Sequence, residues 1–232
     1  MKKKEILAIV PARSGSKGIK NKNSACLNGK PLIYYTIDEA RKSALIDRLV
    51  VSTDSKRIAM LAQSFGAEVP FMRPKYLASD KTKSIDVVLD VLDTLKKDEN
   101  YKPDLIVLLQ PTSPLRKRFH IDEALQRLLK SNADSIVSLC QLREPHPRKI
   151  KVIKKGYVHP FLKGADSSVP RQLLSNCYRL NGAIYAAYTD SVIKKRRFLG
   201  RKVIPYIMDE KYSVNIDSPL DLMLADALLQ KR

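Results

Sequence analysis

Apolar positions in the first 140 residues switch between two periods. Ile6 to Pro11 is one continuous apolar run, the pattern of a strand buried on both faces. Pro31 then suits the first turn of a helix running to about Ser43. RLVVST (48–53) reads as a second strand, and Asp54 or Ser55 is placed to cap a helix that stops near Gly66. AEVPF (67–71) reads as a short third strand. Ser84 is expected to cap an amphipathic helix over IDVVLDVLDTLKK (85–97). DLIVLLQ (104–110), IDEALQRLLK (121–130) and DSIVSLC (134–140) continue as strand, helix and strand. Strands separated by helices predict an α/β fold with a doubly wound, mostly parallel sheet. In such sheets ligands sit beyond the carboxyl ends of the strands. Arg13, Asp54, the 73–80 segment and Gln110 all follow strand ends.

The alternation breaks after Gln141. Residues 142–178 carry scattered prolines and short alternating runs, which predicts a β-rich excursion or hairpin. LNGAIYAAY (180–188) returns to the core, and SPLDLMLADALLQ (218–230) reads as a capped helix with Pro219 in its first turn. The expectation is one domain over 1–232 with 142–178 inserted. At the N-terminus, MKKKEILAIV resembles a leader only briefly, because Glu5 interrupts it and the apolar run is short. Nothing later approaches a membrane-spanning length, so no membrane insertion is expected. Three cysteines, Cys26, Cys140 and Cys177, form neither a disulfide framework nor a C-x-x-C spacing. That fits a reducing cytoplasm.

Charge narrows the partner. The formal net charge of +19 points to nucleic acid, an anionic membrane or small acidic substrates, or else to lysines spread over solvated faces. Nucleic acid is disfavoured: tryptophan is absent, aromatics make up 6%, and no RNA-recognition or zinc spacing is present. KKRRFLGRK (194–202) reads as a helix end and a solvated loop. The cations that do cluster near a strand end lie in IVPARSGSKGIKNKN (9–23), with Arg13, Lys17, Lys20 and Lys22 around Gly15 and Gly18. Glycines allow close backbone approach to an anion. Neither the Walker spacing nor the dinucleotide fingerprint occurs there. A phosphate-binding loop and a solvated basic turn are the two readings it allows, and the first is favoured.

At this loop the chain resembles the acylneuraminate cytidylyltransferases, the CMP-sialic acid and CMP-legionaminic acid synthetase type. The resemblance continues in order through STDS (52–55), RPKYLASDKT (73–82), LLQPTSPLR (108–116), PRQ (170–172), NGAIY (181–185) and VNIDSPLDL (214–222). It implies a Rossmann-like nucleotidyltransferase fold. The implied activity is transfer of CMP from CTP to the anomeric hydroxyl of a nine-carbon acidic sugar, with release of pyrophosphate, for cell-surface glycans. N-acetylneuraminic or legionaminic acid is the expected sugar; pseudaminic acid and the eight-carbon acid of lipopolysaccharide are the alternatives. Mg²⁺ is the implied cofactor, and a homodimer formed through the excursion is the implied assembly.

The resemblance also assigns residues. Arg13, Lys17 and Lys22 hold the triphosphate, while Lys20 is read as solvated. Asn23, Arg73, Ala78, Ser79 and Asp80 face the base; on local grounds alone, 73–80 is a solvated turn. Gln110 goes to the sugar or ribose, and Arg171 and Gln172 to the sugar. Arg116 has a weaker claim and reads as structural. Tyr185 is assigned to the sugar pocket, although Tyr in an apolar strand is more often core. The metal falls to Asp217 as main ligand. Asn215 stands where the family usually carries a first aspartate and is read as an outer or water-mediated contact. Asp217 is also placed to cap the last helix, and Asp54 to cap a helix or touch the metal. His120, His146 and His159 share no ligand spacing, and no Ser or Cys is paired with a His in a recognisable block.

Overall fold

The computed structural model describes residues 3–16 and 18–230. The first strand, β1 (Ile6–Pro11), is followed by a loop and a two-stranded ribbon, β2 (Cys26–Leu27) and β3 (Lys30–Pro31). Helix α1 (Leu32–Arg41), β4 (Arg48–Ser52), α2 (Lys56–Ser64), α3 (Ser84–Glu99) and β5 (Leu105–Leu108) come next. Then α4 (Arg118–Leu129) leads to β6 (Ser135–Leu142), and a hairpin of β7 (Lys151–Lys154) and β8 (Tyr157–Pro160) projects as an arm. The chain returns through β9 (Cys177–Tyr188), α5 (Thr189–Lys195), β10 (Val203–Ile207) and α6 (Pro219–Gln230).

Six strands form one sheet in the order β10-β6-β9-β5-β1-β4. β1 runs parallel to β4 and β5, and β10 runs parallel to β6. Only β9 is antiparallel to its neighbours. Helices cover both faces, as the doubly wound reading requires. Ile6, Ala8 and Val10 point into a core with α1, α2 and α4, while Leu7 and Ile9 point into a second core with α3. This is the period-2 alternation of a strand buried on both faces. A third, smaller core of Leu27, Leu32, Val214, Ile216 and Ala225 seats α6.

Several local expectations shift. AEVPF is not a strand; it keeps a single bridge, Val50 to Glu68, since Pro70 has no N–H to donate. Ser84 is the first residue of α3, whose N-cap is Lys83. Ser55, not Asp54, caps α2 by accepting from Ile58 N–H. The capping serine of α6 is Ser218, not Asp217. Asp221 Oδ2 accepts from the N–H groups of Asp217 and Ser218 and from the Ser218 hydroxyl, while Ser218 Oγ accepts from Asp221 N–H at 3.3 Å. That reciprocity leaves the Asp217 carboxylate free of any capping duty.

Candidate active site

The strand order changes direction around β1, with β4 on one side and β5 on the other. A cavity of about 410 Å³ opens at the carboxyl ends of β1 and β5, where such folds bind ligands. Its floor is Pro11 and Gln110-Pro111-Thr112; its walls carry Arg13, Lys22, Asn23, Arg73, Ser79, Asp80, Asn215 and Asp217. Most of the residues singled out along the sequence therefore meet in one place.

The glycine-rich loop is anchored at three points. Asn23, buried, donates Nδ2–H to the Arg13 carbonyl at 2.9 Å. Asp54 accepts from Ser14 N–H at 2.8 Å and from the Ser14 hydroxyl at 2.6 Å. Asp54 thus holds the loop, which was neither of its two expected roles. Burial opposes ionisation of Asp54, but the Ser14 hydrogen bonds and Arg73 outweigh it and hold its carboxyl below the usual range. At the third point Gly18 lies against the backbone of Asp217: a Cβ there would sit 2.1 Å from the Asp217 carbonyl oxygen. Only glycine allows that approach.

Charges alternate across the cleft. The Arg13 guanidinium pairs with Asp80. Lys22 Nζ donates to Asp217 Oδ1 at 2.9 Å and to the Ile216 carbonyl at 2.8 Å. The Lys22 side chain is 13% exposed, that of Asp217 71%. Asn215 Nδ2 donates to the other carboxylate oxygen of Asp217 at 2.7 Å. Arg73 is 5% exposed, and its guanidinium donates to the Ser52 hydroxyl and carbonyl. Burial pushes Arg73 down to about 10, against the pull of Asp54 and Asp90. Ser79 shares a hydrogen bond with Thr82 at 2.9 Å, which stiffens the rim of the 73–80 turn.

Arg116 is fully buried and structural. It donates to the Ala183 carbonyl at 2.9 Å and to Thr36 Oγ1 at 2.7 Å, tying the PTSPLR turn to β9 and α1. Burial pushes it down to about 9. Gly182, at φ +75°, makes room for the cleft: a Cβ there would lie 2.8 Å from Gln110 Oε1 and 3.2 Å from Asn215 Oδ1. Sequence reasoning passed over Gly182, and it gave Gly18 to an anion and Asp54 to a cap or the metal instead of to holding the loop. A glycine interrupting an apolar strand is a signal of close approach, and Gly182 carried it.

The remaining assignments fall elsewhere. Tyr185 is half-buried against the second core and does not line the cleft; its ring packs against Phe198 at 6.0 Å and burial pushes its hydroxyl up. Ala78 ends the turn at Lys75–Leu77 and does not line the cavity, although Ser79 and Asp80 do. Gln172 is exposed in a short turn at Arg171–Leu173 beyond the arm. Lys17 and the Arg171 side chain lie outside the described residues. Lys20 is exposed, in keeping with the solvated reading.

A hard divalent cation would find oxygen donors here. Asp217 offers a solvent-exposed carboxylate, already hydrogen-bonded by Lys22 and Asn215, and Asn215 Oδ1 is buried without a partner. Among the described residues no three acidic, His or Cys side chains gather to cage a metal. One carboxylate with phosphate oxygens and waters suits Mg²⁺, which keeps much of its hydration. The Asn215 amide turns its nitrogen toward Asp217, as befits a group that orients a ligand.

A cleft at the switch point of a doubly wound sheet, walled by a glycine-rich basic loop, defines an α/β protein built to hold a phosphorylated nucleotide. Comparison with known proteins agrees. Residues 7–213 match the family described as cytidylyltransferase. The chain is 36% identical to the N-acylneuraminate cytidylyltransferase of Escherichia coli over 98% of its own length and 53% of that protein. It is 35% identical to the CMP-N,N'-diacetyllegionaminic acid synthase of Legionella pneumophila, over 97% of this chain and 96% of that one. It thus spans about half the length of the Escherichia coli relative and nearly all of the Legionella one. In fold it resembles CMP:2-keto-3-deoxy-manno-octonic acid synthetase complexed with CTP, with a TM-score of 0.72 at 17% identity, covering 98% and 99% of the two chains. The chain belongs to the cytidylyltransferase family.

Proposed function

We propose that the protein transfers CMP from CTP to the anomeric hydroxyl of a nine-carbon acidic sugar of the N-acetylneuraminic or legionaminic type, releasing pyrophosphate. The observation that carries this reading is the convergence of Arg13, Lys22, Asn23, Gln110 and Asp217 on one cleft in a chain of this family. Attack of the sugar oxygen on the α-phosphorus asks for positioning and charge neutralisation, with no covalent intermediate on the protein. Arg13, Lys17 and Lys22 bind the triphosphate. Lys22 is already held by Asp217 and the Ile216 carbonyl, so its ammonium is fixed before the nucleotide arrives. Arg73, Asn23, Ser79 and Asp80 shape the wall that receives the base, and Gln110 faces the ribose or sugar.

Asp217 would hold Mg²⁺ with Asn215 orienting it, and the ion when bound supplies charge neutralisation at the phosphates. Arg171 and Gln172 follow the arm in the chain. We infer that the arm pairs two copies and brings these residues to the partner's sugar site. The setting of this chemistry is the cytoplasm, where CTP is made available for glycan precursors. Among the described residues no helix is long and apolar enough to cross a membrane.

Pyrophosphate release tests the reading. Activity is expected only when CTP, Mg²⁺ and a nonulosonic acid are all present, with ATP, GTP and UTP inert. Release from CTP that is indifferent to any acidic sugar contradicts it.

A further inference from the structure

The basic stretch KKRRFLGRK (194–202) lies outside the cleft, at the other end of the sheet. β9 finishes at Tyr188 beside Leu105, the first residue of β5, and β10 starts at Val203 beside Ser135, the first residue of β6. Residues 189–202 therefore sit at the amino ends of the parallel strands, while the cleft opens at the carboxyl ends. One carboxylate fixes the shape of the stretch. Asp134 Oδ2 accepts from Lys195 Nζ at 2.8 Å and from the backbone N–H groups of Arg201 and Lys202 at 2.8 and 3.1 Å. The other five cations, Lys194, Arg196, Arg197, Arg201 and Lys202, are exposed. Among the described residues, only Lys195 of the stretch is in an ion pair, and no acidic residue interrupts 191–208. Apolar side chains stand among these cations: Ile193 is 47% exposed and Leu199 40%. Phe198, by contrast, is half-buried against Tyr185.

Five unpaired cations on a clamped loop call for an extended anionic partner. The aliphatic pair decides which. A single nucleic-acid strand is gripped by stacking on exposed aromatic rings, and the one ring of this stretch is packed inward. A bilayer surface takes both parts. Its phosphates meet the cations, and the aliphatic side chains enter the boundary between headgroups and acyl chains. We propose that residues 193–202 dock the protein peripherally on an anionic lipid bilayer. The docking end is opposite the cleft, so the nucleotide site stays open to solvent on the membrane. Lys96, Lys97, Lys102 and Lys130 are exposed at the same end, where α3 and α4 finish, and they widen the positive face. Asp93, Asp98 and Asp190 are exposed there too and offset part of that charge, which centres the contact on 193–202.

Cosedimentation with vesicles of phosphatidylglycerol and phosphatidylcholine, against pure phosphatidylcholine, reads the partition coefficient. The protein is expected to bind the mixed vesicles at about 0.1 M salt, to weaken steeply by about 1 M, and to ignore the neutral ones. A cation near such a surface is worth about fivefold in partitioning. Lys194→Gln, Arg197→Gln, Arg201→Gln and Lys202→Gln together should therefore cost on the order of 500-fold. The control removes four exposed cations from the cleft end, Lys30, Lys56, Arg57 and Arg118. The same change to Gln there should cost less than about tenfold, since salt screens charges held away from the surface. Ile193→Ser with Leu199→Ser should cost about tenfold or more. Melting curves establish that each variant is folded. Equal losses in the two four-site variants, or no gain from phosphatidylglycerol in the native protein, overturn the proposal. So does undiminished vesicle binding by the serine variant. So does a 194–202 variant that loses binding to duplex or single-stranded DNA but keeps the vesicles.

Discussion

Gly18→Ala isolates the contact between the phosphate loop and Asp217. The added methyl would lie 2.1 Å from the Asp217 carbonyl oxygen, whereas ordinary contact begins at 3.4 Å. Both partners are backbone, so no flexible side chain can swing aside. The loop and the Asp217 segment must separate by roughly 1 Å, and in a site that works by positioning such a displacement costs on the order of 100-fold in kcat/KM. Stability should change little, because the clash is at an exposed loop and not in a packed core. Gly15→Ala is the control within the same loop. Its methyl meets only Arg13 Nη1 at 3.5 Å, an ordinary contact with a mobile group, and should cost less than about fivefold. Pyrophosphate release at varied CTP, with melting curves for both variants, separates the cases. Equal losses in the two variants, or a fully active Gly18→Ala protein, would refute the claim that this loop is held against Asp217 for catalysis.

Further predictions concern the floor, the metal and the pH response. Gly182→Ala forces a positive φ on alanine and drives Gln110 and Asn215 out of the cleft wall; it should cost about 1–2 kcal/mol in urea unfolding and lower kcat/KM, and an unperturbed enzyme would show that the close approach is idle. Asp217→Ala should raise the Mg²⁺ needed for half-maximal activity by about tenfold or more with the melting temperature nearly kept, since Ser218 and Asp221 cap α6; the reverse pattern would make Asp217 a structural residue. Burial pushes His120 down to about 4. The unfolded chain takes up that proton near the ordinary histidine value, so folding stability should fall as pH drops from about 6.5 to about 4, by on the order of 2 kcal/mol. His120→Gln should lack this component in urea titrations across that range; identical pH profiles would contradict it.

The strands and helices that came through clearly were those whose burial is two-sided or cleanly amphipathic. Ile6–Pro11 alternates between two cores, so its run of apolar residues had only one economical fold. β10 (Val203–Ile207) went unread because Pro205 interrupts it, and it is tolerable there because β10 is an edge strand. The arm was legible as β-rich because its prolines and short runs exclude a long helix. Cleft-lining residues were legible where a loop brings cations and glycines together locally. Asp54 was misassigned because its partner, Ser14, is forty residues away and belongs to another strand end. Asp217 carried two readings that local sequence cannot separate, and the reciprocal bonds of Ser218 and Asp221 remove the capping one. Tyr185 packs against the second core because β9 faces α3 there, a fact of sheet order that no short motif encodes.

The central claim is that this cleft joins CMP to a nine-carbon acidic sugar. Mass spectrometry of reactions containing CTP, Mg²⁺ and one acid at a time, from N-acetylneuraminic, legionaminic, pseudaminic and the eight-carbon octulosonic acids, tests it most directly. The account predicts a CMP ester of N-acetylneuraminic or legionaminic acid as the main product, formed in step with pyrophosphate. A CMP ester of the eight-carbon acid alone, or CTP breakdown without any sugar ester, would contradict it.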